Sequence, residues 1–474
     1  MSATGSKSWR VRAVQLLVLL ITLGVAWAAR YTVVADSGVA SAIAGLGLLL
    51  LAGILVSELA EVVGLPHLTG YLLAGILAGP HVLGLVGDEA VERLGVLNEL
   101  ALALIALAGG AELRIDGLRK ALRSLAWAHL FQTGAILVAV GGAFMAMKRF
   151  LPFLDGMGWT ATTMVALLWG VLAATRSPSA VLGILTQLRP KGPLTEMTLA
   201  FVMSSDVVVI LLLALTIAAA RVGLDPAAGF SLSTFADVGH ELLGSGALGT
   251  TLGIVLAAFL WLGARKSARG GASLPEGPPA DPDVPADAGA GGDRNLLLVL
   301  IALGLPLSAL LKYIHLNPLL SFMVAGFVVQ NFSRGGERLL HAIEQTGAVV
   351  FVVFFATAGA HLDLPGFVQI WPVALTLAGL RLAVTIVAAR AASRVAGDAP
   401  VIYRWGWSGL VSQAGLALGV ALLIVREFPA FGEGFRTLAI GVVGVNELLG
   451  PVLFKLALDR TGESSGAAYP PQAG

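Results

Sequence analysis

The 474-residue chain is 57% apolar and only 12% charged, against roughly 25% charged residues in an ordinary soluble domain. Its apolar runs of about 18 residues or more are long enough to cross a bilayer as helices, which excludes a soluble or disordered chain and, because the runs do not alternate with polar residues, an outer-membrane barrel. Lys and Arg number 30 against 29 Asp and Glu, a net charge of +1 that gives no reason to expect nucleic acid, and the absence of Cys removes thiol catalysis, disulfides and Cys-ligated metals.

In chain order, fourteen apolar segments read as helices: roughly 13–29, 40–61, 68–80, 94–112, 124–147, 160–187, 196–220, 242–264, 295–311, 317–331, 344–360, 368–389, 401–425 and 437–457. The expected fold class is therefore an all-α polytopic membrane protein with 13–14 transmembrane helices. The first segment has a rival reading, since basic residues, an apolar stretch and Ala26-Trp27-Ala28 resemble a signal peptide with a small-residue cleavage site. Gly270 to Asp293, rich in Pro, Gly and Asp, reads as a flexible linker, and the polar tail from Thr461 as disordered.

Charge placement orients the segments. With the N-terminus inside and strict alternation, 20 of the 30 Lys and Arg fall in inside regions and 8 outside, while Arg176 and Arg381 fall within segments. The excess places both termini and the linker in the cytoplasm of a bacterial-type inner membrane.

An internal repeat links the halves. Leu68 to Gly75 (LTGYLLAG) parallels Leu319 to Gly326 (LLSFMVAG) at an offset of 251, and residues 108–113 (AGGAEL) parallel 357–362 (TAGAHL) at 249. The matched segments start from opposite sides of the membrane, an inverted repeat of the kind found in secondary transporters, with the site near the midplane. The chain then divides into a tail and extra helix (1–39), a first repeat (40–221), a connecting helix (222–269), the linker (270–293), a second repeat (294–460) and the tail (461–474).

Ionisable groups deep in a membrane are costly and mark function by default. Glu99, Arg176, Asp206, Arg381 and Glu447 lie near mid-segment. Asp206, in Phe-Val-Met-Ser-Ser-Asp-Val-Val-Val-Ile, is the most informative. Such a carboxylate holds a proton or a metal cation but not both, and that competition plus alternating access suffices for antiport. The bland alternative is a structural Asp bonded to backbone or to an Arg. Segment 160–187 is interrupted by Thr175-Arg176-Ser177-Pro178, where Pro178 frees carbonyls mid-membrane; a simple kink is the competing explanation. Its counterpart is Ser408 to Gly415, including Ser412 and Gln413. Arg381 needs a partner at its depth, with Asp206 and Glu99 as candidates, and Glu447 is suited to pairing with an Arg. The seven His are scattered, with neither an i, i+4 pair nor an H-E-x-x-H, so no resident metal is expected. No phosphate loop or nucleophile–base set suggests an enzyme, and no cofactor is implied.

Leu65 to Pro80 (LPHLTGYLLAGILAGP) resembles the signature of the monovalent cation:proton antiporter superfamily, nearest the branch holding Kef-type and bacterial sodium–proton antiporters. Phe354 to Ala360 looks like that family's Phe-Phe-rich helix, and Ser204-Ser205-Asp206 sits where the family carries its acidic pair. The resemblance, spanning about residues 40 to 458, implies a core domain with two crossed, broken helices, a dimerisation domain, elevator-like movement and a homodimer. It carries the family's acid over to Asp206 and its basic residue to Arg381. The chain departs from the family in two places. Ser205 replaces one acid of the electrogenic members' Asp-Asp, which implies electroneutral exchange. Arg176 stands where members usually have a small polar or acidic residue, and beside Asp206 it would occupy the place of the cation.

The expected function is exchange of protons for a monovalent cation, Na+ or K+, at Asp206, with Thr175, Ser177, Ser204, Ser205 and Gln413 as neighbours. Two alternatives stay open: a transporter of the same build that moves an anionic solute on Arg176, and a non-transporting sensor locked by an Arg176–Asp206 pair.

Overall fold

The computed structural model describes residues 38–224, 233–270, 290–362 and 364–465. The first apolar segment lies outside them, as does most of the linker. The described chain is helical: α1 (Gly38–Val62), α2 (His67–Ala78), α3 (Asp88–Glu112), α4 (Ile115–Ala146), α5 (Trp159–Ala174), α6 (Pro178–Leu188), α7 (Pro193–Leu224), α8 (Ser233–Gly270), α9 (Ala290–Tyr313), α10 (Pro318–Phe332), α11 (Gly336–Ala360), α12 (Leu364–Ala396), α13 (Pro400–Trp405), α14 (Gly415–Glu427) and α15 (Pro429–Thr461). Nine stretches among the described residues are long and apolar enough to cross a membrane, joined by four shorter apolar helices.

Prolines punctuate the chain. Pro178, Pro318, Pro400 and Pro429 occupy the first turn of α6, α10, α13 and α15, where a missing N–H costs nothing because that donor has no intrahelical acceptor. Segment 160–187 is two half-helices. At 1.5 Å per residue, α5 and α6 are about 24 and 17 Å long, so neither spans a ~30 Å hydrocarbon core alone.

Two bounds differ from the sequence expectation. Residues 290–293 begin α9, and the chain stays ordered past Thr461 because Glu463 is buried and used. Its carboxylate accepts from the backbone N–H of Leu194 and Thr195 (both 2.9 Å) and from Thr195 Oγ1 (2.6 Å). Those are orphan donors of the first turn of α7, where an anion is also favoured by the helix dipole.

The described residues fall into two compact units. Residues up to 98, 121–234 and from 349 form one, and 99–120 with 235–348 form the other, so each draws on both halves of the sequence. The repeat recurs as one helix crossing built twice. In the first unit a Cβ on Gly75 would overlap the Ala356 carbonyl oxygen, and one on Gly359 the Leu72 carbonyl oxygen. In the second unit the equivalent clashes are Gly326 with Leu107 and Gly110 with Met323. Each contact maps onto its twin by the same two offsets, 251 and 249, that relate the sequence motifs. Small residues here let backbones touch, which is how helices associate in lipid without a hydrophobic drive.

The first unit has an apolar core of α4, α5, α7, α12, α14 and α15. Phe144 stacks on Trp169 (5.0 Å between centroids), and Phe435 meets the indole edge-on (5.2 Å), fastening α4, α5 and α15 together.

Candidate functional site

The site lies in the first unit, where the chain is twice not helical. The α5–α6 break is the extended run Thr175-Arg176-Ser177, with Ser177 as N-cap of α6 accepting from Ala180 N (3.2 Å). The α13–α14 break holds a short 3-10 turn, Ser408–Leu410, then the irregular residues 411–414. The last carbonyls of a helix have no intrahelical donor, and lipid supplies none, so both breaks need donors from the protein.

Two buried guanidiniums provide them. Arg381, on α12 and fully buried, donates from Nε to Ala173 O (2.7 Å), from Nη2 to Thr175 O (2.9 Å) and from Nη1 to Val411 O (2.6 Å). Arg176 donates from Nη1 to the carbonyls of Ala173 (3.4 Å), Ala174 (3.0 Å) and Thr175 (2.9 Å), and from Nη2 to Gln132 Oε1 (3.2 Å). A cation at a helix carboxyl end also offsets the partial negative charge there. An amide ladder completes the crossing. Gln413 Nε2 donates to Leu172 O (3.0 Å) and Thr175 Oγ1 (2.8 Å), Asn446 Nδ2 donates to Gln413 Oε1 (2.8 Å), and Gln132 Nε2 donates to Thr385 O (2.8 Å).

Asp206 sits within α7, which packs against both α5 and α6. It is 5% exposed, and neither carboxylate oxygen accepts a hydrogen bond from the protein. The serines before it are turned to their own helix: Ser205 Oγ donates to Val202 O (2.7 Å) and Ser204 Oγ to Ala200 O (2.7 Å). Ser204 Oγ also meets His129 Nε2 at 2.8 Å, and the His129 ring stacks on Phe201 (4.4 Å). A cavity of about 20 Å³, room for one water, lies against the part of α7 that precedes the acid, lined by Gln132, Thr198, Phe201 and Leu410 among others.

The expected charge pairs do not form. Arg176 bonds carbonyls and Gln132, not Asp206, and Arg381 bonds carbonyls, neither Asp206 nor Glu99. Glu99 belongs to the second unit, is about one-third exposed and pairs with Lys312 at 2.5 Å. Glu447 is buried on α15 with its Oε1 unpartnered. For the two arginines the reason is shared: freed carbonyls at the breaks attract guanidiniums as carboxylates do, without the desolvation of a second full charge. Sequence reasoning overlooked Gln132, Asn446 and His129. Their one signal was an uncharged polar side chain inside an apolar run, which was weighed at the two breaks and next to Asp206 and not on the long helices.

The sequence pattern described as "Sodium/hydrogen exchanger, transmembrane" matches residues 46–455. Na(+)/H(+) antiporter 1 of Methanocaldococcus jannaschii is 27% identical over 148 residues, 31% of this chain and 33% of that protein. Iron transporter MagA of Paramagnetospirillum magneticum is 24% identical over 333 residues, 67% of this chain and 66% of that one. The matches thus span about a third and just under two thirds of these relatives. The solved structure of the sodium proton antiporter MjNhaP1 from Methanocaldococcus jannaschii at pH 8 superposes with a TM-score of 0.61 at 15% identity, over 91% of this chain and 99% of that one. A three-dimensional EM map of the same antiporter gives 0.56 at 17% identity, over 90% and 99%. At such identities the likeness establishes the shared fold. With its apolar helices and a family match over most of its length, this multi-pass membrane protein belongs to the sodium/hydrogen exchanger family.

Proposed function

We propose that the protein exchanges protons for a monovalent cation, Na+ or K+, by alternating access, with Asp206 as the shared site. One observation carries this reading: Asp206 is buried in the α7 helix, yet no protein donor reaches either of its oxygens. A carboxylate so placed is left for a proton or a cation. Both arginines are spent on the breaks and do not compete for it. Thr175, Ser177 and Gln413 keep the crossing in shape, and Ser204 and Ser205 flank the acid. With Ser205 in place of a second acid, one charge is exchanged for one and transport is electroneutral; Glu447 keeps one protonation state through the cycle. The protein works as a homodimer in a bacterial-type inner membrane, with the linker and carboxyl end cytoplasmic.

The two other readings find no matching geometry. An anionic solute would meet an Arg176 whose Nη1 is shared among three carbonyls and whose Nη2 donates to Gln132, with Nε as the one nitrogen making no hydrogen bond. The sensor needs an Arg176–Asp206 lock, and the two are not paired.

The test is proton flux in vesicles containing purified protein, on addition of Na+, K+, Li+ or, given the iron-transporting relative, Fe2+. Native protein should respond to Na+ or K+, with a rate indifferent to imposed voltage, and Asp206→Asn should fall to the background of empty vesicles. Exchange surviving in Asp206→Asn, or a response to Fe2+ alone, overturns the proposal; a steep voltage response overturns its electroneutral part.

A further inference from the structure

One of the offsets that relate the glycine crossings, 249, extends into the site, and a second spacing joins it there. Helices α4 and α12 start 249 residues apart, at Ile115 and Leu364, and on that spacing Gln132 is the counterpart of Arg381. Helices α6 and α14 start 237 residues apart, at Pro178 and Gly415, which makes Arg176 the counterpart of Gln413. Each half therefore carries one Arg and one Gln, in exchanged places. The first has its Gln on the long helix and its Arg in the break; the second has its Arg on the long helix and its Gln in the break. All four are at most 1% exposed.

We propose that Arg176 is a positioning residue: a cation carried by the chain that holds the carboxyl end of α5 as Arg381 holds the second break, with Gln132 as the neutral twin of Arg381. Arg176 then never touches the transported ion, and its charge is needed at the break but not at position 176 in particular.

The hydrogen bonds support this division of labour. Arg176 and Arg381 converge on the same two acceptors, Ala173 O and Thr175 O. Gln132 Oε1 stops one hydrogen bond, 3.2 Å, short of the Arg176 guanidinium. An arginine side chain runs two bonds beyond the end of a glutamine, so a guanidinium rooted at 132 extends toward the place where the Arg176 guanidinium stands. A glutamine in a break has its precedent in Gln413, whose amide spans Leu172 O, Thr175 Oγ1 and Asn446. In the low-dielectric interior the requirement is a cation on the freed carbonyls, wherever its side chain is rooted.

The experiment relocates the charge. Arg176→Gln, Gln132→Arg and the double variant are compared with native protein for cation-driven proton flux in vesicles and for melting temperature in detergent. The readout rests on the exchange reading above. Arg176→Gln alone should lose most of the flux, and the double variant should recover most of it with the native KM. A double variant that melts like native protein but stays as inactive as Arg176→Gln overturns the proposal, as does an Arg176→Gln protein with native flux. Should the double variant fail to fold, Arg176→Lys decides. A positioning role lowers kcat and leaves the cation KM unchanged, whereas a clear gain in cation affinity would mean that Arg176 competes with the ion, and would sink the idea. Failure of the Asp206 assignment shows separately, as flux retained in Asp206→Asn, because the swap is read as the ratio of double to single variant whichever acid binds the ion.

Discussion

The first break covers three residues, between the last turn of α5 and Pro178 at the start of α6. The second runs from Gly406 to Ala414, contains no proline and passes through a 3-10 turn before α14 begins. Pro178 cannot continue a helix from the preceding turn, and Ser177 supplies the cap that starts the next, so local chemistry alone interrupts the chain there. Nothing comparable acts at residues 406–414. That stretch is kept from coiling by its surroundings: Arg381 draws on Val411 O, Gly450 of α15 lies so close to Ser412 that a Cβ would overlap its hydroxyl, and Gly409 is pressed likewise against Thr198. Two breaks that meet at one point are thus upheld by different means, one by the chain's own stereochemistry and one by tertiary packing.

The sharpest way to break the comparison is Arg381→Gln, because Arg381 serves both sides. It strands Val411 O and weakens the hold on Ala173 O and Thr175 O. Each buried acceptor left bare costs about 1–3 kcal/mol. We expect the largest fall in melting temperature of the series and loss of exchange, with faster amide hydrogen exchange on both sides of the crossing. Protection lost at one break only would contradict the shared-anchor account.

Gly450→Ala should act on the second break alone. The added methyl must displace Ser412, an overpacking cost of about 1–3 kcal/mol. Hydrogen-exchange mass spectrometry should show increased labelling in 408–427 and native labelling in 172–188; the reverse pattern would mean that the breaks are not independently held.

Ser177→Ala is the mildest. Loss of an N-cap costs about 1 kcal/mol, and Pro178 still interrupts the helix. A small drop in melting temperature with exchange retained is the expected outcome, and a collapse as deep as that of Gly450→Ala would show that the first break is no more self-sufficient than the second.

The same contrast explains which expectations held. The first break was readable from Pro178, and the internal repeat from two motifs at nearly equal offsets, because proline geometry and a recurring residue pattern belong to the sequence itself. Charge pairing was not readable. Glu99 looks membrane-embedded by its place in a segment, yet it lies on a partly exposed face opposite Lys312. Arg176 and Arg381 looked like partners for acids and instead take carbonyls, and Gln132 and Asn446 drew no attention although both are almost fully buried. A hydropathy segment gives depth in the membrane, not the direction in which a side chain faces.

Composition and periodicity by themselves determined that this chain is a bundle of membrane helices with an internal duplication, one proline-broken span and a solitary acid, Asp206, deep in an apolar helix. Those features follow from the cost of exposing backbone or charge to lipid, which each residue carries regardless of its neighbours. Only the tertiary structure decided that the arginines cap the breaks, that Asp206 is left without a donor, and that the second interruption exists as it does. Each depends on which carbonyls, amides and glycines are brought within hydrogen-bond or van der Waals reach, and that is a property of the packed bundle alone.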